Sequence, residues 1–189
     1  MQIFLSVVFL LLSMSLAAVE VLPEAPKGFL WKQLPFIKAQ FLMPNDWNFN
    51  FVPENKDERY IYYITKENIN QKGYYQTGMN IRVIRNVPTK LKGQLPSEYS
   101  ANIVAETAKK VKFTKKWDEQ KGIFKESGYI YVDDSDNKNS ITVYRLYISN
   151  DKTGTVYILT FEGPTKEWDS LWKNIGEVIF KNFSLDETM

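Results

Sequence analysis

Apolar and polar positions alternate along much of this chain. Trp47, Phe49 and Phe51 alternate with Asn48 and Asn50, the period of two expected of a half-buried strand. Just before them, residues 40–43 form a short apolar run that stops at the turn signal Pro44-Asn45-Asp46. Residues 60–65 are dense in aromatic and β-branched side chains and predict a third strand. Residues 66–78 are polar, hold Gly73 and Gly78, and read as a loop. Alternation resumes over 79–87 and closes at Pro88.

The period then turns helical. Within 95–113, Ala101, Val104, Ala108 and Val111 recur at helical spacing, with Ile103 beside them. Ser97, after Pro96, is the expected N-cap, with Glu98 in the first turn. Four further strands are predicted over 117–124, 128–133, 140–149 and 155–161, joined as a meander. Residues 150–154 form a hairpin loop in which Gly154 can take a left-handed conformation. In 141–148 and 156–161 both alternating sets are largely apolar, which marks strands covered on both faces. The chain closes with an amphipathic helix opened by Pro164-Thr165. Its stripe is Trp168, Leu171, Trp172, Ile175 and Ile179. Residues 182–185 add a terminal edge segment. The sum is an α+β fold: one antiparallel sheet of about six to eight strands, with helices expected on both faces.

The start of the chain has a different character. Residues 3–12 are apolar but for Ser6, and 13–18 are small and weakly apolar, the order of a secretory signal with a cut after Ala17 or Ala18. No Lys or Arg precedes the run, so an uncleaved anchor is the alternative. The expected organisation is a leader over 1–18, an extended arm over 19–38 and a single domain over 39–189. The arm holds Pro23, Pro26, Gly28 and Pro35. Its patch Phe29-Leu30-Trp31 either packs on the domain or docks on a partner.

Composition narrows the chemistry. The chain contains no histidine and no cysteine. It lacks the commonest neutral-pH acid/base and metal ligand, the best intrinsic nucleophile, and any disulfide or lipoprotein attachment site. A hydrophobic content of 44% with 15% aromatics supports a packed core without staples. The net charge of +2 is too balanced for a nucleic-acid binder. The expected location is periplasmic or extracellular. No cofactor and no metal site are expected, and the oligomeric state is not legible.

Four groups are candidates for function. Lys109, Lys110, Lys112, Lys115 and Lys116 form a basic stretch, either a helix end with dipole-matched charge or a surface for an acidic partner or an anionic membrane. Asp133, Asp134, Asp136 and Asn137 fail the calcium-loop spacing, because Lys138 stands at a ligand position; a solvated turn is expected. Asp118, Glu119, Glu126, Glu162 and Glu167 are the carboxylates available for hydrolysis, but no motif selects two of them. Glu162, before Gly163-Pro164, is expected to be exposed. Tyr60, Tyr62, Tyr63, Tyr74 and Tyr75 either line a cleft or pack on strand faces.

The run 141–148, the turn Asn150-Asp151-Lys152-Thr153-Gly154, the strand 155–161 and the close from Pro164-Thr165-Lys166-Glu167-Trp168 to Phe183 resemble the PsbP-like family, which shares a fold with the Ran-release factor. Met43-Pro44-Asn45-Asp46-Trp47 is similar to that family's entry turn. The resemblance implies an α-β-α sandwich and a non-catalytic accessory protein acting on a protein partner or envelope assembly. Metal positions of some relatives use histidine, so none carries over. Phe29, Trp31 and the five lysines are the candidate contact residues. A binder of a small apolar ligand or glycan is the alternative, and a carboxylate hydrolase the third reading.

Overall fold

The computed structural model describes residues 22–54, 59–136, 139–185 and 187–188. The leader expected over 1–18 lies outside the described residues, as does Asn137 of the acidic cluster.

Among the described residues, ten strands form two sheets. The larger is antiparallel throughout, in the order β3-β4-β5-β9-β8-β7-β6. Its strands are β3 (Asn48–Glu54), β4 (Arg59–Thr65), β5 (Gly78–Ile84), β6 (Phe113–Lys121), β7 (Phe124–Asp133), β8 (Ile141–Asn150) and β9 (Thr155–Pro164). The register runs straight across all seven. Phe51, Tyr62, Ile81, Leu159, Leu146, Gly128 and Trp117 are successive partners in one row. The next row on the other side of the pleat is Asn50, Tyr63, Asn80, Thr160, Arg145, Tyr129 and Lys116. Since side chains alternate across a strand, the sheet has one apolar face and one mixed, largely polar face.

The apolar face is covered by a mixed layer. One part is a three-stranded sheet of β1 (Phe29–Gln33), β2 (Gln40–Pro44) and β10 (Phe183–Ser184), with β2 in the middle. Phe41, Leu42 and Met43 of β2 are buried against Tyr62, Ile64, Met79 and Leu159. The other part is a continuous helical run: a 3₁₀ turn over Thr165–Glu167, α4 (Trp168–Leu171), a π turn over Trp172–Gly176 and α5 (Glu177–Lys181). The extra residue per turn in the π segment rotates the expected stripe, so Phe180 joins Ile179 against the core. The arm over 19–38 is therefore, in its described part, not a free tail. Residues 29–33 pair with β2 from Phe29↔Pro44 to Gln33↔Gln40. The Gln33 amide clamps the connecting turn by donating to the carbonyls of Ile37 at 2.8 Å and Ala39 at 3.1 Å.

On the mixed face, the helix α3 (Pro96–Ala108) lays Val104 and Ile103 against Tyr129, Tyr147 and Ile158. Two short helices, α1 (Ile69–Lys72) and α2 (Val87–Lys90), lie in the connections flanking β5. Ser97 is not the N-cap of α3. Leu95 holds that position, and the Glu98 carboxylate accepts from the Leu95 N–H at 3.0 Å. The cap comes from the β8–β9 turn. Ser97 donates its N–H to Asp151 Oδ1 at 2.8 Å and its hydroxyl to Oδ2 at 2.6 Å.

Two strand boundaries differ from expectation. The segment 117–124 runs through a hairpin turn at Gly122-Ile123, where Gly122 has φ +58°. Its strand, β6, begins four residues earlier and carries mostly charge, as exposed sheet edges do. At the other end, β9 continues through Gly163 to Pro164, which pairs with Ile141. Beyond Glu162 no β5 residue is paired with it, so the missing proline N–H breaks no ladder bond on that side.

Candidate functional site

A groove crosses one end of the mixed face. Its widest part is a shallow cleft of about 870 Å³ between residues 110–114, which lead from α3 into β6, and Tyr131–Ser135 at the end of β7. Tyr131, Asp133 and Ser135 also border a cavity of about 270 Å³ floored by Val143, Ile141, Tyr75 and Glu162. Gln76, Asn139 and Ile141 continue into a third, of about 340 Å³, bordered by Pro164, Lys166 and Glu167. The sheet register creates this path: Gly78, Glu162, Val143, Tyr131 and Phe113 are successive partners across five strands.

A polar network lies beneath it. Asn80 Nδ2 donates to the Tyr75 hydroxyl at 2.9 Å, and that hydroxyl donates to the Glu162 carboxylate. Burial raises the Glu162 pKa; the Tyr75 hydrogen bond and the positive charge of Arg145 counter the rise, and Asp133 adds to it. Arg145 donates from Nε to Thr160 Oγ1 at 3.1 Å and reaches the Tyr129 hydroxyl at 3.5 Å. Burial likewise raises the Tyr75 and Tyr131 phenols. Asp133 is shifted the other way, because the Ser135 hydroxyl and N–H both donate to its carboxylate. Glu162 is thus half-buried in the groove rather than exposed. The reading of Gly163-Pro164 as a turn misplaced it.

The structure separates the residues that the sequence grouped. Lys110 and Lys112 line the wide cleft, facing Asp133 and Asp134. Lys109 is paired with Glu106 at 2.6 Å, and both side chains are exposed, so the pair stabilises little. Lys115 and Lys116 are neighbours on β6 and so point to opposite faces. Lys115 lies 5.6 Å from the Trp117 ring, and Lys116 lies 3.8 Å from Asp118. The basic stretch is therefore no single surface. Phe29 and Trp31 pack against the core, with the Trp31 indole donating to the Pro23 carbonyl at 2.7 Å; of that patch only Leu30 points outward, at 37% exposure. The tyrosines divide as well. Tyr62 is buried and donates to the Pro35 carbonyl at 2.5 Å, Tyr60 stacks with Phe36, and Tyr63 meets the edge of Tyr75. Of the five, Tyr75 borders the groove and Tyr74 is exposed. The groove residues Glu162, Tyr75 and Arg145 carry no local motif. For Glu162 and Arg145 the only signal is a polar residue inside an otherwise apolar strand, as with Arg145 between Tyr144 and Leu146, and Tyr75 stands in the polar loop before β5.

No family model matches the chain, and no curated protein matches it. Among solved structures, the cyanobacterial PsbP (CyanoP) from Synechocystis superposes with a TM-score of 0.51 at 9% identity, covering 84% of this chain and 93% of that one. The fold is PsbP-like. The Saccharomyces cerevisiae Ran-binding protein Mog1p aligns at a TM-score of 0.43 with 16% identity, over 83% of this chain and 95% of that one. A Bacteroides thetaiotaomicron protein aligns at 0.43 with 8% identity, over 78% of this chain and 45% of that one. Within the PsbP-like fold, the groove lies where the ends of β5, β7, β8 and β9 meet the turn into β6.

Proposed function

We propose that the protein is an exported, non-catalytic binding module that docks on a protein partner through this groove. The observation that carries the reading is the groove's sign pattern, with Lys110 and Lys112 on one wall and Asp133 and Asp134 on the other. A polyanion or an anionic membrane is repelled by the acidic wall. A protein segment bearing both signs complements it and is held in register by the charges. The PsbP-like fold is compatible with this role but does not set it.

Two features weigh against the other readings. Glu162 and Asp133 border the same cavity, which is what a carboxylate hydrolase needs. Each is already engaged, Glu162 by Tyr75 and Asp133 by Ser135, so the pair serves to hold the groove. A small apolar ligand between sheet and helix has little space, because Tyr144 lies 4.5 Å from Trp172 and 4.6 Å from Phe180 by ring centroids.

The export part of the proposal rests on the composition of residues 1–18, apolar and then small. The intact mass of the protein recovered from its host tests it: a chain starting at Ala18 or Val19 is expected, and one retaining Met1 overturns a cleaved leader. Docking is tested with a photo-crosslinking residue at Thr114, on the groove wall, or at Ile123, at the far end of the β6–β7 hairpin. A discrete protein adduct from position 114 and none from 123 is expected. Equal labelling from both overturns the assignment of the groove.

A further inference from the structure

The two edges of the seven-stranded sheet are built differently. β6 carries Lys115, Lys116, Asp118, Glu119 and Lys121 and a bulge between Phe113 and Lys115, features that keep an edge from pairing. β3 reads Asn48-Phe49-Asn50-Phe51-Val52-Pro53-Glu54 and has no charge before its last residue. Among the described residues β3 pairs only with β4, and no turn or loop bond reaches its backbone. The direction of its outward groups follows from the neighbouring ladder. The Lys66 N–H donates to the Thr77 carbonyl at 2.9 Å. Tyr62 and Ile64, of the same parity, therefore face β5, and Tyr63 and Thr65 face β3, where their partners are Asn50 and Asn48. Phe49 and Phe51 are left to turn their N–H and C=O groups outward. Pro53 shares their parity, so its missing N–H costs no bond to β4.

Aromatic side chains crowd this edge. On the apolar face the Lys32 ammonium stands 4.2 Å from the Phe49 ring centroid. The Phe36 ring lies 5.4 Å from Phe51 and 6.1 Å from Tyr60. Phe36 holds φ +66°, costly for a bulky side chain, yet it is 72% exposed. A strained turn that presents a ring to water does not stabilise the isolated chain.

The strand is complementary to itself. About a two-fold axis through Asn50, antiparallel pairing sets Phe49 opposite Phe51 of a second copy, and Phe51 opposite Phe49 of that copy. Both are hydrogen-bonded pairs, and they use the outward N–H and C=O groups of Phe49 and Phe51. Their rings meet as cross-strand aromatic pairs on the apolar face. Phe36, over Phe51, comes beside Lys32 of the second copy, and ring and ammonium attract. On the mixed face Asn50 meets Asn50, and Asn48 meets Val52. No charged residue lies within 48–52, so the axis sets no like charges opposite each other. We propose that two copies of this chain pair through β3 into one continuous sheet, with Asn50 on the two-fold axis and Pro53 ending the ladder on either side.

Sedimentation velocity of the purified protein over a concentration series is expected to show monomer passing into dimer. Asn50→Lys sets two ammonium groups face to face and is expected to stay monomeric. The Asn50 side chain accepts one exposed hydrogen bond, from Asn70, so its loss disturbs the fold little; circular dichroism checks this. The chain has no cysteine, so single-cysteine variants read the register without that substitution. Asn50 pairs with itself at a non-hydrogen-bonded position, about 4.5 Å between Cα atoms and within disulfide reach. With diamide as oxidant, Asn50→Cys is expected to form a disulfide-linked dimer rapidly. Asn48→Cys and Val52→Cys are expected to link to each other when mixed and not to themselves. Thr114→Cys, on the opposite edge, is expected to link slowly. A monomer at every concentration, a dimer unchanged by Asn50→Lys, or linking from Thr114→Cys as fast as from Asn50→Cys each overturns the proposal.

Discussion

Replacing Gly128 with alanine tests the packing of the apolar face at its outer edge. Gly128 is the register partner of Trp117, and the indole lies over it; a Cβ at 128 meets the Trp117 ring directly. The ring also packs at 5.0 Å from Tyr144. Accommodating the methyl group requires the indole to lift away. Such overpacking costs about 1–3 kcal/mol, offset by roughly 0.5 kcal/mol because glycine loses more backbone freedom on folding. Gly128→Ala is therefore expected to destabilise by about 1–2 kcal/mol. Trp117→Ala alone removes a half-buried ring and is expected to cost about 2 kcal/mol. In the Trp117→Ala background the clash is absent, and Gly128→Ala becomes neutral or stabilising by about 0.5 kcal/mol. The coupling energy is thus about 2 kcal/mol. Urea unfolding of the four proteins, followed by far-ultraviolet circular dichroism with a common slope, gives this cycle. Additivity within about 0.5 kcal/mol would refute the argument, because it would mean that the indole does not rest on the glycine.

Two further predictions concern the polar face. In Glu162→Gln, the amide oxygen still accepts from Tyr75 but the buried charge is gone. The folded-state pKa of Glu162 is raised, chiefly by burial, so its favourable contribution is present at low pH and is lost as pH rises through the folded value. The variant is expected to gain stability relative to the native protein as pH rises from about 4 to about 7. Chemical denaturation across that range checks it; a relative loss shows that Arg145 and Tyr75 outweigh desolvation. Asp151→Ala removes both acceptors from Ser97, which is 7% exposed, and should cost about 1–2 kcal/mol. Asp151→Asn keeps one acceptor and should cost less. Equal stability of Asp151→Ala and the native protein in urea rejects the cap.

The central strands were legible because burial on both faces leaves its mark in local sequence. Ile141 to Ile148 and Val156 to Phe161 are apolar in both alternating sets, and the structure places them in β8 and β9 at the middle of the sheet. The edges were not. β6 has Phe113 and Trp117 as its only apolar residues, since an exposed edge is built of charges. β1 is flanked by prolines, and what makes it a strand is β2, not its own pattern. The stripe of the last helix was legible, whereas the π turn that rotates it is set by packing: a Cβ at Gly176 would meet Trp172 and Phe161. The groove was least visible because its walls come from segments spread between Tyr75 and Glu167. Asp151 caps a helix 54 residues away, and no local signal joins the two. Lys110 and Lys112 stand out in the sequence for their charge, whereas only the fold sets Asp133 and Asp134 across the cleft from them.

The most direct test of the docking account is whether the crosslink from position 114 depends on the groove's own charges. Lys110→Glu/Lys112→Glu and Asp133→Lys/Asp134→Lys each reverse one wall, and Lys115→Glu/Lys116→Glu reverses two cations outside the cleft. Adduct yield per folded protein, read at low and high salt, is the measurement. The account predicts loss of the adduct in the first two variants, retention in the third, and weaker labelling at high salt. An adduct that persists in both wall variants, or one that disappears only when Lys115 and Lys116 are reversed, contradicts it.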